Sequence, residues 1–156
     1  MRNRVFLVSA LFVTSLLCSA QSSSIAGEWR GIWSDSSGYG FTATITLVTG
    51  SNCKACASSG DGSVQGTIIW TMRKVPAKAT AEEAAKVGMT ATEYVRGERK
   101  GVGLLVLNGY KKDDPNSIFS LDRYRLAISD DGLVLGGITF DNGSWTGQLM
   151  ALRAQN

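Results

Sequence analysis

Gly27-Glu28-Trp29-Arg30-Gly31 and Gly143-Ser144-Trp145-Thr146-Gly147 are near-copies of one short pattern, placed towards opposite ends of a 156-residue chain. Each carries Trp-x-Gly at the start of a strand-like run. Between them the sequence is an almost unbroken series of alternating strands. A sheet whose first and last strands share a signature is read as one that closes on itself, a β-barrel. With an even strand number, the first and last strands run antiparallel and pair directly. The two Trp-x-Gly segments are then expected as neighbours or near neighbours across the seam. Each glycine would leave room for an indole or for strand coiling.

The strands follow from period-2 alternation. Phe41 to Val48 is the cleanest case: Phe41, Ala43, Ile45 and Leu47 face one way, and Thr42, Thr44 and Thr46 the other. Glu28 to Trp33 precedes it. Val64 to Arg73 follows, with Val64, Gly66, Ile68, Trp70 and Met72 on one face, before Pro76 ends pairing. Glu93 to Arg99, Val102 to Tyr110, Ile118 to Ile128, Leu133 to Phe140 and Ser144 to Leu152 complete the set. Hairpin turns are expected at Lys100-Gly101, Asp130-Asp131-Gly132 and Asn142-Gly143. A short helix over Ala81 to Val87 is signalled by Thr80 as cap, Glu83 closing a capping box and Gly88 stopping it. It is too short to carry the fold and is expected as a lid or plug in a connection. The prediction is all-β: an antiparallel up-and-down barrel of about eight strands, with one short helix between strands.

Residues 1–20 are predicted to be a signal peptide. Arg2 and Arg4 form a basic start, Val5 to Leu17 an apolar run too short to span a bilayer comfortably, and Cys18-Ser19-Ala20 a cleavage site. Lipidation at Cys18 is the alternative, disfavoured by Leu17 in the position where a small residue is wanted. No second apolar segment follows, so no integral membrane anchor is expected. Residues 21–156 form one barrel domain, secreted or periplasmic. Without the two leader arginines, the formal charge of +3 falls to about +1. There is no basic stripe interleaved with aromatics, and nucleic-acid binding is not expected.

Cys53 and Cys56 are the two cysteines left after cleavage. A haem attachment site would need His where Ala57 stands. Zinc would need two further ligands, and the chain has no His. A thioredoxin-type pair belongs at a helix start in a βαβ unit, whereas this one sits in a Gly/Ser/Asn loop. A small disulfide is favoured over free thiols, contributing about 2 kcal/mol by the chain-entropy argument.

The Gly27-x-Trp29 opening is similar to that of lipocalins and avidin-like proteins, both calycin-type eight-stranded barrels. Leu121-Asp122-Arg123-Tyr124 resembles an Asp-Tyr segment in the later half of lipocalins. Arg153 resembles the arginine that in lipocalins packs over the first-strand tryptophan. The resemblance implies a cation–π contact of Arg153 on Trp29, about 0.5 to 2 kcal/mol. Lipocalins carry their helix after the barrel; here the helical signal lies mid-chain. The polar ring by which avidin-like proteins hold biotin has no residue-by-residue counterpart. As a whole the chain also looks like small secreted bacterial proteins.

The absence of His excludes Ser-His-Asp and Cys-His catalysis. There is no phosphate-binding glycine loop. Asp113, Asp114, Asp130 and Asp131 lie in turns without calcium-loop spacing, so neither metal nor cofactor is expected. The candidate ligand-binding residues are Trp70, Asp122 and Tyr124. Trp29, Trp33, Trp70 and Trp145 serve first as interior filler, with Trp70 the choice to line a cavity. Ile118, Ser120, Asp122, Tyr124, Leu126 and Ile128 share a parity. If it points inward, a carboxylate and a phenol enter the barrel, with Arg96 or Arg123 or a ligand as partner. The opposite parity puts Asp122 in solvent; the apolar run Tyr124-Leu126-Ile128 favours the inward one.

The leading functional expectation is a non-enzymatic binding module for a small apolar or amphipathic ligand. The alternative is an envelope or secreted interaction or inhibitor protein acting through loops around a filled barrel. An enzyme using Asp122 with Glu93 or Glu98 is the third. Oligomeric state is left open by the sequence.

Overall fold

The computed structural model describes residues 24–50, 62–101, 103–141 and 145–155. The predicted leader, Cys53 and Cys56, and the Asn142-Gly143 turn lie outside these residues. Eight strands form one closed barrel in chain order: β1 (Gly27–Asp35), β2 (Gly40–Thr49), β3 (Ser63–Lys74), β4 (Thr90–Lys100), β5 (Leu104–Asp113), β6 (Arg123–Ile128), β7 (Val134–Phe140) and β8 (Thr146–Arg153). Every neighbouring pair is antiparallel, and β1 pairs with β8 to close the ring. The helix α1 (Ala81–Ala85) lies in the β3–β4 connection.

Alternation decides what is inside. Phe41, Ala43, Ile45 and Leu47 on β2 and Ile68, Trp70 and Met72 on β3 are buried, as are Tyr124, Leu126 and Ile128 on β6. The outer face carries the threonines of β2 together with exposed Ile32, Ile138, Met150 and Leu152. The interior is therefore packed with side chains along most of its length.

The seam corrects one expectation. β1 and β8 do pair, but the register sets Trp29 opposite Arg153, Gly31 opposite Ala151 and Asp35 opposite Gly147. Antiparallel strands place their starts at opposite ends. Trp29 and Trp145 are therefore at opposite ends of the barrel, not side by side. Both glycines still serve close approach. A Cβ on Gly31 would lie 2.3 Å from the Met150 carbonyl oxygen, and one on Gly147 would lie 2.1 Å from the Trp33 ring.

Among the described residues the end near Trp29 is packed. Trp29 is fully buried, its Nε1 donates to the Ile25 carbonyl at 3.2 Å, and the Arg153 guanidinium lies 4.2 Å from its ring centre. Arg153 also donates to the carbonyls of Gly132 and Ala26 at 2.9 Å each, and to Ser24, so it ties the chain's lead-in to the barrel wall.

The other end carries the β1–β2 turn, the α1 connection, the 114–122 loop and the β7–β8 connection. Thr80 and Glu83 form a full capping box on α1, but none of the helix is buried. It is not a plug. Glu83 instead accepts a hydrogen bond from the Tyr39 hydroxyl, tying the helix to the β1–β2 turn at the rim. The sixth strand begins at Arg123 rather than at Ile118. Asp114 accepts from the backbone N–H groups of Ile118 (2.9 Å) and Phe119 (3.3 Å), holding that stretch as a loop before pairing starts.

Candidate functional site

A recess opens at the Trp33 end. Its wall is aromatic, from Trp33, Phe41, Trp70, Phe119 and Trp145, and its polar groups are Ser120, Asp122 and Asp141. The enclosed space is small, about 30 Å³, enough for a water or two beneath an open mouth. The rings brace one another. Trp33 meets Phe41 edge-on at 5.5 Å, Phe41 meets Trp70 edge-on at 6.1 Å, and Phe119 lies 6.4 Å from Trp70. On the rim Tyr39 packs on Trp145 at 4.8 Å.

Beneath this wall sits a buried carboxylate, Glu93, with no exposed surface. It shares inward parity on β4 with Ala91, Val95 and Gly97. Its carboxyl is met by neutral donors. Trp70 Nε1 (3.0 Å) and the Tyr124 hydroxyl donate to Oε2, and the Asp122 backbone N–H (3.1 Å) donates to Oε1. Room for it comes from Gly109 on β5, where a Cβ would lie 1.9 Å from Glu93 Oε1. A register shift between Tyr94 and Val95 puts Gly109 opposite Val95, close enough to do this.

Burial pushes the Glu93 carboxyl up to about 7, against the pull of its three donors. Burial likewise raises Asp122 to about 6, partly offset by a hydrogen bond from Thr139. The Tyr124 hydroxyl, wholly buried and beside Glu93 and Asp122, is pushed well above its ordinary value. A second chain of contacts runs beside the first: Trp33 Nε1 donates to Thr139 Oγ1 at 2.7 Å, and Thr139 bonds Asp122.

The three sequence candidates lie close together but differ in role. Trp70 and Asp122 line the recess, while Tyr124 is buried behind it through Glu93. The partner of Asp122 is Thr139, not Arg96, which lies outside against the Tyr110 ring. Glu93 entered the sequence reading only as a possible partner of Asp122 in the enzyme alternative, not among the ligand-binding candidates, and the structure places it beneath the site. Trp33 and Trp145 join Trp70 on the wall; Trp29 belongs to the packed end.

A broader, shallower concavity of about 430 Å³ lies outside the barrel along β1, β7 and β8, between Ile32, Ile138 and Met150. Among the described residues no buried polar group is aimed into it. The mouth recess combines apolar wall with convergent polar groups, which is the usual composition of a ligand site. Comparison with protein-family models, curated proteins and solved structures found no match to the chain.

Proposed function

We propose that this protein is a non-enzymatic binding module that takes a small amphipathic ligand in the mouth of its barrel. The observation that carries the reading is the braced aromatic wall with Asp122 set into it at the Trp33 end of the barrel. Among the described residues the other end is packed by Trp29 and Arg153. Packed side chains below the recess limit the ligand to a small head seated at the mouth. A carboxylate cluster of raised pKa also suits acid–base work, but Glu93 is sealed from the opening, which favours a structural role for it.

Calycin-type character is part of this proposal. It rests on the eight-stranded up-and-down order and on Arg153 over Trp29, the contact implied by the lipocalin resemblance. Export to a secreted or periplasmic location is proposed from the leader, and an N-terminus at Gln21 in the mature protein is its test. The filled interior also favours the alternative, an interaction or inhibitor protein working through its loops.

Native mass spectrometry of protein taken from its own source separates the two. A small-molecule adduct released on unfolding is expected. A bare chain that also takes up nothing from a panel of small amphiphiles would overturn ligand binding in favour of the loop-mediated role.

A further inference from the structure

The recess has a chemical sign. Trp33 and Trp70 each own one donor, the indole N–H, and each spends it inside the wall, on Thr139 and on Glu93. Thr139 in turn bonds Asp122. Trp33 is therefore backed by the Asp122 carboxylate through a hydroxyl, and Trp70 directly by the Glu93 carboxyl, which ionises near pH 7. What remains at the opening is aromatic carbon, the Ser120 hydroxyl and carboxylate oxygen. Among the described residues the charged groups lining it are Asp122 and Asp141; the nearby Lys112 ammonium lies 5.1 Å from the Phe119 ring centre and is paired with Asp114 at 3.0 Å.

Aromatic faces carry negative potential, and carboxylates carry full negative charge. An indole that donates to a carboxylate is polarised further in the same direction. An anion would meet repulsion. A purely apolar group would fill the ring wall but strip water from Asp122 without replacing it. A soft cation satisfies both: its alkyl groups pack on the rings while its charge faces the carboxylate.

We infer that the recess receives the head group of an organic cation, a substituted ammonium, held by the Trp33–Trp70–Trp145 wall with Asp122 as counter-charge. The inference rests on the ligand-binding reading above and names the ligand class for the same site. Only about 30 Å³ lies within the recess, so the head seats at its open mouth against the ring faces, and the rest of the molecule leaves past Tyr39 and Trp145.

Three probes of one shape and different charge test this: tetramethylammonium, tert-butanol and trimethylacetate. Each has a single methyl resonance, so saturation-transfer NMR reads its binding to the folded protein directly. Tetramethylammonium is expected to bind about tenfold more tightly than tert-butanol, with trimethylacetate silent. Asp122→Asn should bring the first two within about threefold of each other. Trp145 lies at the rim outside the core, so Trp145→Ala should fold and weaken tetramethylammonium binding even if Asp122→Asn does not fold. Equal or tighter binding of tert-butanol overturns the cation inference and leaves ligand binding standing. Preference for trimethylacetate overturns the sign of the site. Silence from all three overturns both readings. Full tetramethylammonium affinity in Trp145→Ala would place the cation elsewhere.

Discussion

Two glycines and one carboxylate set the site's geometry. Gly109 gives Glu93 its space, and Gly147 gives Trp33 its space. Gly109→Ala and Gly147→Ala should each destabilise the fold by about 1 to 3 kcal/mol through overpacking, measured by urea titration. The two variants should differ in a second readout. Gly109→Ala displaces the carboxylate and should alter the pH dependence of stability, whereas Gly147→Ala should leave that dependence intact. Glu93→Gln tests the same point from the other side. An amide NH₂ accepts nothing, whereas the hydroxyl oxygen of the neutral acid present at pH 5 still can, so in the variant the Asp122 N–H or the Trp70–Tyr124 pair is left facing a donor. A loss of about 1 to 3 kcal/mol at pH 5 is expected. At the packed end, Trp29→Ala removes a fully buried indole and should cost about 3 to 5 kcal/mol.

At the scale of elements, the closing seam carries the architecture. Amide hydrogen exchange should show β1 and β8 protected to the same degree as β2 and β3, because every strand has two neighbours. A chain truncated before Thr146 should leave β1 and β7 as open edges and aggregate. Soluble monomer from that truncation would contradict the closed ring. The strands were legible because each is half-buried and alternates, and this parity alone sent Trp70 and Tyr124 inward. Asp122 was legible only by extending that parity beyond the paired strand, into a loop that Asp114 holds. Glu93 was harder. The sequence reading assigned no facing to its strand, and the space it needs comes from Gly109 on another strand, through a register shift that no local pattern records. The placing of the two Trp-x-Gly segments failed for a geometric reason: antiparallel strands bring ends to starts, so matching starts lie a strand's length apart.

For the whole molecule, the buried carboxylates tie stability to pH. Glu93 holds its proton up to about pH 7 in the fold, while an unfolded Glu releases it near 4.5. The folded state therefore binds the extra proton between those values, and stability falls as pH rises through that window. Glu93 accounts for about 3 kcal/mol of this, a drop in Tm of roughly 10 °C between pH 4.5 and 8. Asp122, raised from 3.8 to about 6, adds in the same direction. Glu83, lowered from 4.5 to about 2 by its bonds from Tyr39 and Thr80, acts oppositely, and its contribution fades as pH falls through about 2. Calorimetry from pH 3 to 8 should find the highest Tm on the acid side of neutrality, with the fall above pH 5 much reduced in Glu93→Gln. A Tm rising steadily to pH 8 would contradict a buried, proton-holding Glu93.

The central claim is that the barrel works from one end, and its four tryptophans report on both ends. Their indole N–H signals can be followed in ¹⁵N-labelled protein during titration with tetramethylammonium and then with tert-butanol. The signals of Trp33, Trp70 and Trp145 should move with at least one probe while that of Trp29 stays fixed. Movement of Trp29 together with the others, or stillness of all of them under both probes, would contradict a binding mouth at the Trp33 end.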